Sequence, residues 1–143
     1  MIVENVFEKI IFPKLKNHVE TNSIYNPLVT KKKPLESKKF PIVPVKLNPV
    51  KNFYNNLSYG EETYNFSIEI EIYATDKGST SKRTVCNEVT EKIIDFFKTN
   101  YHVTVRTELD AHNIDSDVQR NKVRISGKLD TKYGLDNLII YPR

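Results

Sequence analysis

The chain of 143 residues carries a net charge of +4, with 38% hydrophobic residues and a single cysteine, Cys86. This length predicts one domain that can bury a core without disulfides or metals. An intramolecular disulfide and a zinc cage of several cysteines are excluded, and no apolar run approaches the roughly 18 residues of a transmembrane helix.

A helix is predicted at the N-terminus, over residues 1–20. Apolar side chains recur at helical spacing between Ile2 and Ile11, with charged side chains opposite, a pattern that differs from a signal peptide. Pro13 has no amide hydrogen to donate, so we expect a break or kink there. A second short helical piece would follow from Lys14 to about Glu20.

The basic excess is an N-terminal feature, since residues 1–60 hold ten Lys and four Glu. Residues 21–39 are weakly patterned and predict a long loop, with at most a short strand near Ile24 to Val29. Such a loop can contact DNA phosphates or an acidic protein surface, and we expect it to become ordered only on assembly. The candidate partner-binding residues are Lys31, Lys32, Lys33, Lys38 and Lys39.

The clearest pattern of the chain is a strand followed by a helix. Residues 64–74 are predicted to form a strand with one buried face, because the apolar Phe66, Ile68, Ile70 and Ile72 alternate with the polar Ser67, Glu69 and Glu71. After a turn that contains Gly78, apolar residues recur at helical spacing from Val85 to Phe97. This predicts a helix that ends near Lys98, with Cys86 packed beside its apolar stripe as a small hydrophobe.

Three further extended segments are predicted. Residues 40–47 contain Pro41 and Pro44, which cannot donate to a ladder, so this segment is expected to be an edge strand or an irregular one. His102 to Leu109 and Val118 to Leu129 alternate cleanly.

The resulting fold class is α+β, with a single mixed, mostly antiparallel sheet of about four strands and two helices packed on one face. Residues 40–143 would hold the sheet and the second helix. The short apolar run from Leu138 to Tyr141 would either pack on its own sheet or extend that of a neighbour.

No catalytic, cofactor or metal site is predicted. The three histidines lack metal-binding spacing, and four glycines form no phosphate-binding loop. Asp110, Asp115 and Asp117 could offer oxygen ligands, but the fixed offsets of a calcium loop are missing, so a solvated acidic turn is expected.

Two predicted strands carry opposite charges on their polar faces. If these strands are neighbours, the charges form cross-strand pairs of modest strength within the chain. If they lie on different edges, one subunit has an acidic patch and a basic patch, and contact between such patches could close a ring. The candidate subunit or tube interface comprises Glu69, Glu71, Arg120, Lys122 and Arg124.

The order of elements resembles that of the tail terminator, or tail completion, proteins of tailed bacteriophages. The resemblance covers about Phe40 to Arg143, although the chain continues past the late strand, where relatives often end. The residues that carry it are Phe40-Pro41-Ile42-Val43-Pro44-Val45, the strand Tyr64 to Tyr73, the turn Ala74-Thr75-Asp76-Lys77-Gly78, the helix with Cys86-Asn87-Glu88-Val89, and the strand Lys122 to Asp130.

This resemblance implies a structural virion protein without catalysis, cofactor or metal. Such proteins form a ring, expected to be a hexamer, at the head-proximal end of the tail tube, where they end tube polymerisation and join the tail to the head connector. The implied partners are further copies of the chain, the tail tube protein and the head–tail connector, with at most a passing contact with DNA and none with a membrane. Assembly would take place in the host cytoplasm.

Two alternatives stay open at this point. One is a head–tail connector, or neck, protein, which also forms rings. The other is a nucleic-acid-binding module that uses the Lys31 to Lys39 loop.

Overall fold

The computed structural model describes residues 2–31, 40–48, 53–56, 61–101, 103–109, 117–130 and 139–141. Within these residues the fold is α+β, with one mixed sheet and two helical segments that cover one of its faces. The predicted fold class is therefore confirmed.

The N-terminal helical segment has three parts. These are α1 (Ile2–Val6), a π-helical turn (Phe7–Ile11) and α2 (Phe12–Asn22). The amide of Phe12 donates to the carbonyl of Phe7, five residues earlier, and Pro13 follows in the first turn of α2. A proline is tolerated in a first helical turn because amides there lack partners within the new helical register. The chain thus stays helical through Pro13 in place of a break.

The sheet contains seven strands within the described residues, in the order β1-β2-β4-β6-β5, with β3 beside β4 and β7 beside β6. Five strands thus form the main path, slightly more than the predicted four. Their bounds are β1 (Leu28–Thr30), β2 (Ile42–Asn48), β3 (Phe53–Asn56), β4 (Glu61–Ala74), β5 (Thr104–Glu108), β6 (Gln119–Asp130) and β7 (Ile139–Tyr141).

The strand pairing is antiparallel except between β1 and β2. β2 lies between β1 and β4, so it is not an edge strand. Its pairing with β4 skips Val43 and Pro44, as expected of an irregular strand. β7 pairs with β6 of its own chain, so the C-terminal run from Ile139 extends its own sheet.

The second helix, α3 (Lys82–Asn100), begins where the sequence places polar capping groups. The hydroxyl of Ser81 accepts from the amide of Thr84 at 3.3 Å, and the carboxylate of Asp76 accepts from the amide of Lys82 at 2.7 Å. Both acceptors satisfy amides of the first helical turn. Gly78 has a φ of 59°, which a glycine adopts at little cost.

The core lies between the sheet and both helical segments. Its strand side chains include Ile68, Ile70 and Ile72 of β4, all with no exposed surface. Cys86 of α3 is equally buried, and its thiol donates to the carbonyl of Ile72 at 3.3 Å. Burial on this scale is the main favourable contribution to folding.

Candidate interface on the charged sheet face

The side of the sheet away from the helices is polar. Both helical segments pack against the apolar side, so within the described residues no helix covers the other one. The strand register places charged side chains next to one another on this side. We call it the charged face; its residues are Lys46 of β2, Glu69, Glu71 and Tyr73 of β4, Arg120, Lys122 and Arg124 of β6, and Arg106 and Glu108 of β5.

One row of the charged face crosses four strands. In it, Lys46 lies opposite Glu69, Glu69 opposite Arg124, and Arg124 opposite Arg106. Arg124 donates a hydrogen bond to Glu69 and forms an ion pair with it. This hydrogen bond lowers the pKa of Glu69, and the nearby charge of Lys122 lowers it further, although partial burial acts in the opposite direction.

Glu71 is the centre of a second cluster. Its Oε1 lies 3.2 Å from Nη2 of Arg120, and its Oε2 accepts a hydrogen bond from the Tyr73 hydroxyl. The guanidinium of Arg120 also lies 5.9 Å from the centre of the Tyr73 ring. Burial raises the pKa of Tyr73 to about 12, and the hydrogen bond to Glu71 adds to this effect.

Glu69 and Glu71 of β4 are therefore paired with Arg124 and Arg120 of β6 inside one chain. Because the two strands are neighbours over twelve residue pairs, the separate acidic and basic patches considered above do not exist on them. The five candidate interface residues do lie together on one surface. The ion pairs between described residues use the carboxylates of Glu69 and Glu71 and leave out Lys46, Lys122 and Arg106.

Sequence reasoning did not include Lys46, Arg106 and Glu108 in this surface. The alternation from His102 to Leu109 in the sequence already placed Arg106 and Glu108 on one face of the predicted strand. Their placement beside Arg124 and Lys122 depends on the β5–β6 register, which joins distant parts of the chain. Together with Thr107, these four side chains line a shallow hollow of about 260 Å³.

Of the predicted partner-binding loop, only Lys31 lies in the described part of the chain. Its ammonium group is 3.6 Å from a carboxylate oxygen of Glu8 and 5.4 Å from the centre of the Phe12 ring. Lys31 thus contacts the N-terminal helical segment of its own chain. Lys32, Lys33, Lys38 and Lys39 lie outside the described residues.

Among the described residues, no three His, Cys, Asp or Glu side chains are grouped closely enough to hold a metal ion. Asp110 and Asp115 of the acidic turn lie outside those residues, whereas Asp117 is described and exposed. None of the described helices combines the length and the apolar character needed to cross a bilayer.

Comparison with known proteins found distant structural likeness and no sequence relative. No protein-family model and no curated protein matches the chain. Among solved structures, the bacteriophage SPP1 gp17 protein is a weak structural neighbour, with 15% sequence identity and a TM-score of 0.35. The match covers 87% of this chain and 84% of that one. A likeness at this level carries no functional argument.

Proposed function

We propose that this chain is a structural virion protein of a tailed bacteriophage. Copies of it would form a ring at the head-proximal end of the tail tube, end tube polymerisation and join the tail to the head connector. The observation that supports this role most directly is the charged face, a broad side of the sheet without helix cover in the described part of the chain. The more specific part of the proposal, a ring at the end of the tail tube, rests on the sequence resemblance to tail terminator proteins described above.

The charged face suits contact with protein subunits because its internal pairs hold several side chains in place. Glu69 fixes Arg124, and Glu71 fixes Arg120, so less side-chain freedom is lost when a partner binds. Lys46, Lys122 and Arg106 form no ion pair among the described residues and carry the excess positive charge. The face therefore fits an acidic surface on the tube or on another copy. Glu69 and Glu71 would act by positioning their arginines.

Inactivating the gene in the phage that encodes this chain tests the assembly role. We expect tails of abnormal length that are not joined to heads, visible by electron microscopy. Tails of normal length that are left unjoined would instead indicate a connector protein. Particles with normal tails joined to heads would overturn both assignments.

The role of the charged face is tested by complementation with variants. Lys46→Gln combined with Lys122→Gln removes two cations but keeps both internal ion pairs. We expect this double variant to fold and to lower the yield of joined particles by about tenfold or more, since a total loss of about 1.4 kcal/mol in binding is a factor of ten. Lys14→Gln, an exposed position on α2, is the matched control. Full complementation by the double variant contradicts the assigned interface.

A further inference from the structure

The two edges of the main sheet differ in how their backbone groups are satisfied. At the β1 edge, the amide of Leu28 donates towards β2, to the carbonyl of Pro41, so the backbone groups of Val29 point outward. The amide of Val29 donates to Glu20 Oε2 at 3.0 Å, and its carbonyl accepts from Lys16 Nζ at 2.8 Å. Side chains of α2 thus close this edge against another strand.

The β5 edge is different. Among the described residues, no strand pairs with the outer side of β5. Arg106, Thr107 and Glu108 are exposed. Leu109 directly after them is 55% exposed, and in the described part of the chain only Ile24 is a more exposed large apolar side chain. An open edge with an exposed apolar residue is a surface on which another strand can pair.

We propose that β5 pairs in antiparallel orientation with β5 of a second copy of this chain, around a two-fold axis at Thr107. Two identical antiparallel strands can be related only by a two-fold axis perpendicular to the sheet. This axis keeps every side chain on its own face of the sheet, and directly opposed side chains share a face. The axis must therefore lie between the two copies of one residue. The candidate centres on the exposed part of β5 are Arg106, Thr107 and Glu108.

The charges select one of these three centres. An axis at Arg106 places Arg106 opposite itself, and an axis at Glu108 places Glu108 opposite itself. Like charges in directly opposed positions destabilise a strand pair. An axis at Thr107 instead places Arg106 opposite the partner's Glu108, and the symmetry repeats this pair.

The same axis also pairs the apolar side chains. If the strand is continued by one residue past Glu108, Val105 comes to lie opposite the partner's Leu109, on the side of the sheet that carries the helices. Leu109, which is exposed in the single chain, would gain an apolar neighbour. Charge and hydrophobicity thus favour the same register, and the occupant that fits this edge is a second copy of the chain.

This pairing does not depend on the proposed ring. A two-fold contact closes on itself and yields a dimer, whereas a ring requires a contact between two different surfaces. The dimer uses the edge of β5, where Arg106 and Glu108 mark the end of the charged face, and the ring contact is tested separately at Lys46 and Lys122 of that face. Either proposal can fail while the other holds.

Disulfide trapping tests the pairing and its register. Directly opposed residues in an antiparallel pair have Cα atoms about 4.5–5.5 Å apart, which a disulfide can span. Thr107→Cys should therefore form a covalent dimer under mild oxidation. Thr104→Cys is the matched control, because this register separates the two copies of position 104 by six residues along the strand. The native Cys86 is buried and should not react in the folded chain.

We expect the dimer of the Thr107→Cys variant to form at least about tenfold faster than that of the Thr104→Cys variant, since only the first places both sulfurs within bonding distance. Equal rates, or faster trapping at position 104, would overturn the proposed register.

A charge exchange provides a second test, by sedimentation equilibrium of the full chain. Arg106→Glu turns both Arg–Glu pairs into Glu–Glu pairs and should raise the dimer dissociation constant at least about fivefold. The double variant Arg106→Glu, Glu108→Arg restores both pairs in reversed order and should return to within about twofold of the original value. Lys14→Glu makes the same charge change as Arg106→Glu away from the sheet and should leave the constant unchanged. A chain that stays monomeric at millimolar concentration, or a double variant as weak as the single one, contradicts the proposal.

Discussion

Asn121 on β6 donates a hydrogen bond of 3.0 Å to the hydroxyl of Thr90 on α3, within the buried layer between the sheet and the helix. The same side-chain amide donates to Asn87 Oδ1 at 2.9 Å, and the Thr90 hydroxyl donates to the carbonyl of Cys86 at 2.8 Å. Asn121 has no exposed surface. Sliding of β6 against α3 would leave these buried polar atoms unpaired, so the cluster fixes the position of the helix on the sheet.

Replacing Asn121 by alanine should lower the free energy of unfolding by about 2–3 kcal/mol, because Asn87 and Thr90 lose a buried partner. Urea denaturation followed by circular dichroism measures this change. Asn17→Ala, on the exposed side of α2, is the control and should change stability by less than about 0.5 kcal/mol. A similarly small effect at Asn121 would show that the cluster does not contribute to stability.

Ile70 on β4 lies at the centre of the core and has no exposed surface. Ile70→Ala should lower the free energy of unfolding by about 2–5 kcal/mol, through lost burial and the cavity that remains. Ile24 is 74% exposed, so Ile24→Ala is the matched control and should have little effect. Equal losses at the two positions would contradict the assignment of the core face of β4.

The sequence predicted the parts of the fold that depend on local pattern. The alternation along β4 placed Ile68, Ile70 and Ile72 on the buried face, and the apolar stripe of α3 placed Val85 and Phe97 there too. In both elements the spacing of apolar residues matches the period of a strand or a helix. The buried face can therefore be identified without knowing which other element packs against it.

The remaining features depend on contacts between distant parts of the chain. Pro41 and Pro44 predicted an edge strand or an irregular one at β2. The strand is irregular, but it is not at the edge, because β1, a three-residue strand without a pattern of its own, pairs on its outer side. Glu69 and Arg124 are 55 positions apart, and their pairing follows from the β4–β6 register. The register is set by which faces become buried together, and that is a property of the whole sheet.

The Glu69–Arg124 pair should contribute about 0.2–1 kcal/mol at neutral pH, measured by a double-mutant cycle with Glu69→Gln and Arg124→Gln. Because the pKa of Glu69 is lowered on folding, the contribution is fully present above the unfolded value of 4.5. It is lost as the pH falls through the folded value, when the carboxyl becomes protonated. A cycle of Glu91→Gln on α3 with Arg124→Gln provides the control and should show no coupling. Coupling at Glu69 that persists at pH 2 would contradict the ionic origin of the contact.

Tyr73 should ionise with a pKa of about 12, because burial and the hydrogen bond to Glu71 favour the neutral phenol. A pKa raised on folding contributes stability that is present below pH 10 and is lost as the pH rises through 12. The phenolate absorbance of the folded chain should therefore show a step near pH 12 that is missing from the Tyr73→Phe variant. Glu71→Gln should move this step to lower pH. If the step that the Phe variant lacks lies near pH 10, the ordinary value for tyrosine, the assignment is contradicted.

The complete burial of the thiol of Cys86 gives the chain an internal probe of its own opening. An alkylating reagent can reach this sulfur only when α3 separates from the sheet or the whole molecule unfolds. The rate of alkylation, read by mass spectrometry as a single mass shift, therefore reports the population of open molecules without an added label. Compared between the free chain and an assembled form, it measures how strongly assembly suppresses that opening.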